Sequence, residues 1–251
     1  MKRTIVLIHG LRGTHHGLKA VADQLAQAGY KTITPDLPGS GTRAPLDNKT
    51  LDGYIEWLHL YIQALGLKQK PVIVGHSMGS IIVSHYLEKY PDDVDQKIVL
   101  MSPIFRDKAA QITNNTLYDL LDGAMHLLPE KRRDHLLRSK AVSFAVSRYL
   151  TIDRSQQKAI DELHYKYSGH FASADSLIAD AKISMRQQTV VPKDKEVLMI
   201  IGEKDRLVTD TCVKRIAKET HSHLVQINHT GHLINYEQPT QVAASIIEFL
   251  Q

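Results

Sequence analysis

The sequence predicts a doubly wound α/β protein, a mostly parallel sheet of about six strands with helices on both faces and one inserted helical block. Three observations carry this. Short apolar runs of β type alternate with longer segments of helical spacing. The runs are apolar at successive positions, as in strands buried on both faces. The alternation then fails over one long stretch, residues 103–193, which reads as helix throughout.

In chain order, strands are predicted at residues 4–8, 31–34, 72–74, 97–101, 197–201 and 223–227. Helices are predicted between and after them at 17–28, 51–65, 80–90, 211–219 and 240–250. Strand-helix alternation of this kind builds parallel sheets, because each return crossover is a helix. Within the insertion, helical stretches run over 116–128, 130–138, 141–150, 155–167 and 174–186. Thr151-Ile152-Asp153 and Ser168-Gly169-His170 mark breaks, and Pro103 and Pro192 stand at its ends. The expected division is a core of 1–102 and 194–251 and a helical block of 103–193.

Composition narrows the class. With 251 residues, 43% hydrophobic and 23% charged, the chain is long enough for a sizeable core and ordinary for a globular protein. The net charge of +4 comes from scattered Lys and Arg with no basic stripe, so no nucleic-acid partner is expected. One cysteine, Cys212, excludes an internal disulfide framework and reads as a packing residue. The apolar run after Met1-Lys2-Arg3-Thr4 ends at His9-Gly10, too short for a signal sequence, and no run approaches a membrane span. A soluble, cytoplasmic protein is expected. His15, His16, His59, His126, His164 and His170 lack metal-ligand spacing and are expected at the surface; His221-x-His223 is a weak exception, and neither metal nor cofactor is expected. Residues 130–134 read as a polar helix face with Leu136 and Leu137 on the buried side, and Trp57 and Tyr61, four apart, as a packed pair.

The chemistry-bearing signal is Gly75-His76-Ser77-Met78-Gly79, placed where an apolar strand gives way to a helix. A serine hydroxyl attacks only when held at a sharp turn beside a base, and the turn needs small neighbours. Active residues on open α/β sheets gather at strand carboxyl ends. Beyond the strand at 197–201 lies Asp205, and beyond that at 223–227 lies His232, so that Ser77, Asp205 and His232 follow in the order nucleophile, acid, base. Asp107 and His229 are the rival acid and base. Gly10 after the first strand allows close backbone approach, and the N–H groups of Leu11 and Met78 are candidates for an oxyanion hole. His9 reads as holding that loop. Arg12 and His76 are candidates for substrate contact, although the His76 side chain is expected to point away from the nucleophile.

Taken together, His9-Gly10, Asp36-Leu37-Pro38-Gly39-Ser40-Gly41, the turn at Ser77, Gly202-x-x-Asp205-x-x-Val208 and Gly231-His232 resemble the α/β-hydrolase superfamily, in order and over essentially the whole chain. The resemblance implies a serine hydrolase of esterase type with an α/β-hydrolase fold and a helical cap inserted at 103–193. It also implies that the chain starts on the strand that usually comes third, without the two antiparallel edge strands of the fuller fold. The expected activity is cleavage of a small-molecule acyl ester, thioester or lactone through an acyl-enzyme. C–C bond hydrolysis, or a weakly active ligand-sensing role, are the alternatives. Serine at position 77 disfavours aspartate-nucleophile chemistry. Substrate identity and oligomeric state are not encoded in these motifs.

Overall fold

The computed structural model describes residues 3–251; Met1 and Lys2, where the expected core segment and the basic N-terminal stretch begin, lie outside the described residues. The strands are β1 (Thr4–Ile8), β2 (Lys31–Ile33), β3 (Val72–His76), β4 (Lys97–Met101), β5 (Glu196–Gly202) and β6 (His223–Ile227). They form one sheet in the order β2-β1-β3-β4-β5-β6, every neighbouring pair parallel. Around it pack α1 (His15–Gln27), α2 (Leu51–Ala64), α3 (Met78–Lys89), α9 (Asp210–Glu219), the short α10 (Ile234–Glu237) and α11 (Pro239–Leu250).

Both sheet faces are covered, which is why the strands read apolar throughout. Ile5, Leu7, Val74 and Val99 point into one layer, against Leu18 and Val21 of α1 and Val242 and Ile246 of α11. Val6, Ile8, Ile73 and Leu100 point into the other, against Tyr54 and Leu58 of α2, Ile81 of α3 and Val213 of α9. Cys212 packs in this second layer, as its lack of motif context suggests. Each such apolar side chain, fully buried, contributes about 1.5–3 kcal/mol.

The strand order also locates the crevice. The chain leaves β1 toward β2 on one side and returns as β3 on the other. The loops after β1 and β3 therefore diverge, and a gap opens at their carboxyl ends. Register places Ile8 beside Gly75, so residues 9–12 and 77–78 leave the sheet side by side.

Between β4 and β5 the described residues hold α4 (Lys108–His126), α5 (Glu130–Arg138), α6 (Lys140–Leu150), α7 (Gln157–Ser168) and α8 (Ala174–Arg186), with no strand among them. Two expectations need correction here. Helix α4 begins eight residues before the predicted start at 116, because Asp107 caps it, accepting from Ala110 N at 2.8 Å. In α5 it is Arg133, not Leu136, that is buried: Arg133 pairs with Asp175 at 2.8 Å while Leu136 is 39% exposed. Trp57 and Tyr61 stack as expected, with Arg43 over both rings. No helix among the described residues is long and apolar enough to cross a membrane.

Candidate active site

Ser77 sits where β3 turns into α3, with φ 55° and ψ −119°. That left-handed backbone is strained for a residue with a side chain, and such strain persists only where the surroundings enforce it. Ser77 N is tied to Met101 O of the next strand at 2.9 Å. The flanking glycines permit the turn. A Cβ on Gly79 would lie 2.4 Å from Ile8 O, and one on Gly75 2.6 Å from Gly79 O, so helix and strand touch backbone to backbone.

Asp205 and His232 come from the loops after β5 and β6, which are locked together. Lys204 N donates to Thr230 O at 3.0 Å, and His229 N to the Glu203 carboxylate at 2.9 Å. The result is a continuous chain: Asp205 Oδ2 lies 2.7 Å from His232 Nδ1, and His232 Nε2 lies 2.8 Å from Ser77 Oγ. With the ring proton on Nδ1 donated to the carboxylate, the Nε2 lone pair accepts from the Ser77 hydroxyl. The second Asp205 oxygen accepts from Leu207 N and Val208 N at 2.8 and 3.3 Å, which fixes the carboxylate. The side chains of His232 and Asp205 are 2% and 3% exposed. The rivals are elsewhere. Asp107 caps α4, and His229 is exposed.

Two more histidines line the same cavity. His9 Nε2 accepts from Leu37 N at 2.9 Å while Nδ1 lies 2.9 Å from Gly10 O, so the ring braces the loop after β1. Burial pushes its pKa down to about 4. His76 is turned toward the histidine loop, its Nε2 3.3 Å from His232 O, and burial with the nearby His232 lowers its pKa to about 3. Ser102 Oγ also donates to that carbonyl, at 2.9 Å. Leu11 lines the cavity, and Met78 opens α3, where an N–H has no acceptor in its own helix.

The helical insertion completes the walls. The cavity, about 100 Å³, runs from Ser77 and His232 to Val146 and Leu150 of α6 and His164 of α7. His164 corrects an expectation: it is buried, not superficial, and burial followed by the charge of Arg12 lowers its pKa to about 4. Spacing offered a signal for it, since Ile160, His164 and Ser168 repeat every four residues on the buried side of α7. Arg12 also lines the wall, its Nη2 donating to Leu137 O and Ser143 Oγ at 3.0 and 3.3 Å. A larger apolar pocket of about 320 Å³ adjoins the cavity, sharing Leu11, Arg12 and Val146 and continuing between Leu121, Leu137 and Leu177.

The histidine loop is anchored to the insertion by a residue the sequence reading left without a role. Buried Glu237 accepts from Ile152 N and Asp153 N at 2.7 and 2.8 Å through one oxygen and from Gly231 N at 2.8 Å through the other. His232 N donates to Leu150 O at 2.7 Å. No group of three or more His, Cys, Asp or Glu among the described residues is arranged to hold a metal.

Comparison with known proteins agrees with this architecture. The family model for the alpha/beta hydrolase fold matches residues 3–239, and the chain belongs to that family. It is similar to the monoacylglycerol lipase ABHD6 of Homo sapiens, 22% identical over 263 residues, with 99% of this chain and 75% of that protein aligned. Among solved structures it resembles an esterase from Exiguobacterium antarcticum, with TM-score 0.77, 16% identity and 99% and 92% of the two chains covered. It also resembles a bromoperoxidase from Bacillus anthracis, with TM-score 0.71, 21% identity and coverage of 100% and 92%. Family membership supports hydrolase activity.

Proposed function

We propose that the protein is a serine esterase acting on a small-molecule ester of carboxylic acid type, with thioesters and lactones in the same chemical reach. The reading rests on one observation, the unbroken contact from Asp205 through His232 to Ser77 Oγ. Ser77 attacks the carbonyl as His232 takes its proton. His232 then protonates the leaving alcohol, and a water activated by the same ring releases the acyl group. Asp205 holds the tautomer and stabilises the imidazolium. The Leu11 and Met78 N–H groups receive the oxyanion, each such donor being worth about 3 kcal/mol in the transition state. In this reading residues 1–102 and 194–251 are the catalytic core and 103–193 the cap that walls the acyl site.

The test is turnover of esters of graded acyl length by the wild type and by Ser77→Ala, with labelling by a fluorophosphonate. Loss of at least about a thousandfold in kcat and loss of labelling are expected in the variant. A wild type inert toward every ester, thioester and lactone, or a variant that keeps its rate, would refute the assignment.

A further inference from the structure

Arg12 is an unusual residue for a cavity wall. Its side chain is held in place by the insertion, through Leu137 O and Ser143 Oγ, and by a backbone with φ 57°. Neither contact is a carboxylate, and Arg12 makes no ion pair among the described residues. The acid in the adjoining pocket, Asp122, has its Oδ1 3.3 Å from His126 Nδ1 and without a hydrogen bond. The charge that acts on Arg12 is another cation, Arg138, whose guanidinium lies 4.1 Å from the Phe171 ring centre while that of Arg12 lies 5.7 Å from it. Arg138 is likewise spent on carbonyls, those of Gly169 and Phe171. Burial and Arg138 lower the Arg12 pKa to about 10, which leaves it charged at neutral pH.

A desolvated cation without an anion is costly, because neutral hydrogen-bond acceptors only partly replace the hydration that burial removes. The surrounding polar atoms repeat the pattern. Arg12 Nε, Thr14 Oγ1, His164 Nδ1 and Asn235 Oδ1 are all buried without a protein partner, and all four residues line the Ser77 cavity. Buried polar groups in folded proteins are almost always satisfied, so four around one cavity point to a polar ligand. The charge among them is positive.

We propose that Arg12 binds a carboxylate at the far end of the substrate's acyl group, so that half-esters of short dicarboxylic acids are the preferred substrates. This rests on the esterase reading above and adds the substrate class. Water adds across the acyl C–O bond, giving the dicarboxylic acid and the alcohol. Guanidinium matches carboxylate in shape and charge, and its Nε–H is a buried donor without a partner.

The experiment compares monoethyl glutarate with its neutral primary-amide counterpart, of the same shape. The wild type is expected to favour the carboxylate by at least tenfold in kcat/KM. Arg12→Gln is expected to erase that ratio, and Arg12→Lys, which keeps the charge and loses the planar fork, to retain part of it. Equal rates on the two esters in the wild type would overturn the proposal while leaving ester hydrolysis standing, as would an equal fall on both in Arg12→Gln. Glutarate binding to Ser77→Ala, followed by calorimetry, separates the two claims. Heat of binding that vanishes when Arg12→Gln is added supports the anion site even where no ester is turned over, and an unchanged affinity refutes it.

Discussion

His9 and His76 stand beside Ser77 as rings that burial keeps from taking up a second proton. Burial lowers their pKa values from the ordinary 6.5 to about 4 and about 3. Above pH 6.5 folded and unfolded chains are both neutral at these positions. Below it the unfolded chain takes up protons that the folded chain refuses, so stability falls as pH falls through the window from 6.5 to about 4. The unfolding midpoint in urea is expected to drop between pH 7 and pH 4.5, by on the order of a few kcal/mol in stability. Identical midpoints would contradict the burial of neutral rings. The effect belongs to the scaffold of the site and not to its chemistry, since His9 braces the loop that carries Leu11.

At the level of elements, the turn between β3 and α3 is the least forgiving. Gly79→Ala would drive a methyl group to 2.4 Å from Ile8 O and 2.7 Å from His9 O, and both are backbone atoms that cannot swing aside. A loss of at least about 3 kcal/mol is expected, together with loss of fluorophosphonate labelling at temperatures where the variant remains folded. Thermal melting and labelling measured side by side check this, and a variant that melts and labels like the wild type would refute the backbone contact. This element was legible in the sequence because a strand, two glycines and a serine have few structural uses together. The strands were legible because both faces of the sheet are covered. The first two turns of α4 were not, since Gln111, Thr113, Asn114 and Asn115 carry no apolar rhythm and the cap at Asp107 looks like any loop aspartate. Arg133 was misplaced because its partner, Asp175, lies on a different helix.

Across the whole molecule, the candidate site was readable where its residues follow strand ends, and unreadable where the insertion contributes. Ser77, Asp205 and His232 each stand just beyond a strand that announces itself. Four-residue spacing puts His164 on the buried side of α7 but does not say what it faces, and Glu237 acts through contacts with distant segments, which periodicity does not report. Glu237→Gln tests the second of these. An amide presents an N–H where the carboxylate accepts, so the N–H of Gly231 or those of Ile152 and Asp153 lose their acceptor. A loss of about 1–3 kcal/mol is expected. As a positioning residue, Glu237 is expected to affect kcat about tenfold with little change in KM, read from steady-state rates beside thermal melting; a fall in stability alone, with kcat intact, would leave it a purely structural strut. The Leu150 carbonyl carries the same connection further, because the backbone of His232 is fastened to it. A door hinged along α6 cannot swing without unlatching His232. Opening at that edge and the contact of His232 with Ser77 are thus coupled through the Leu150 carbonyl.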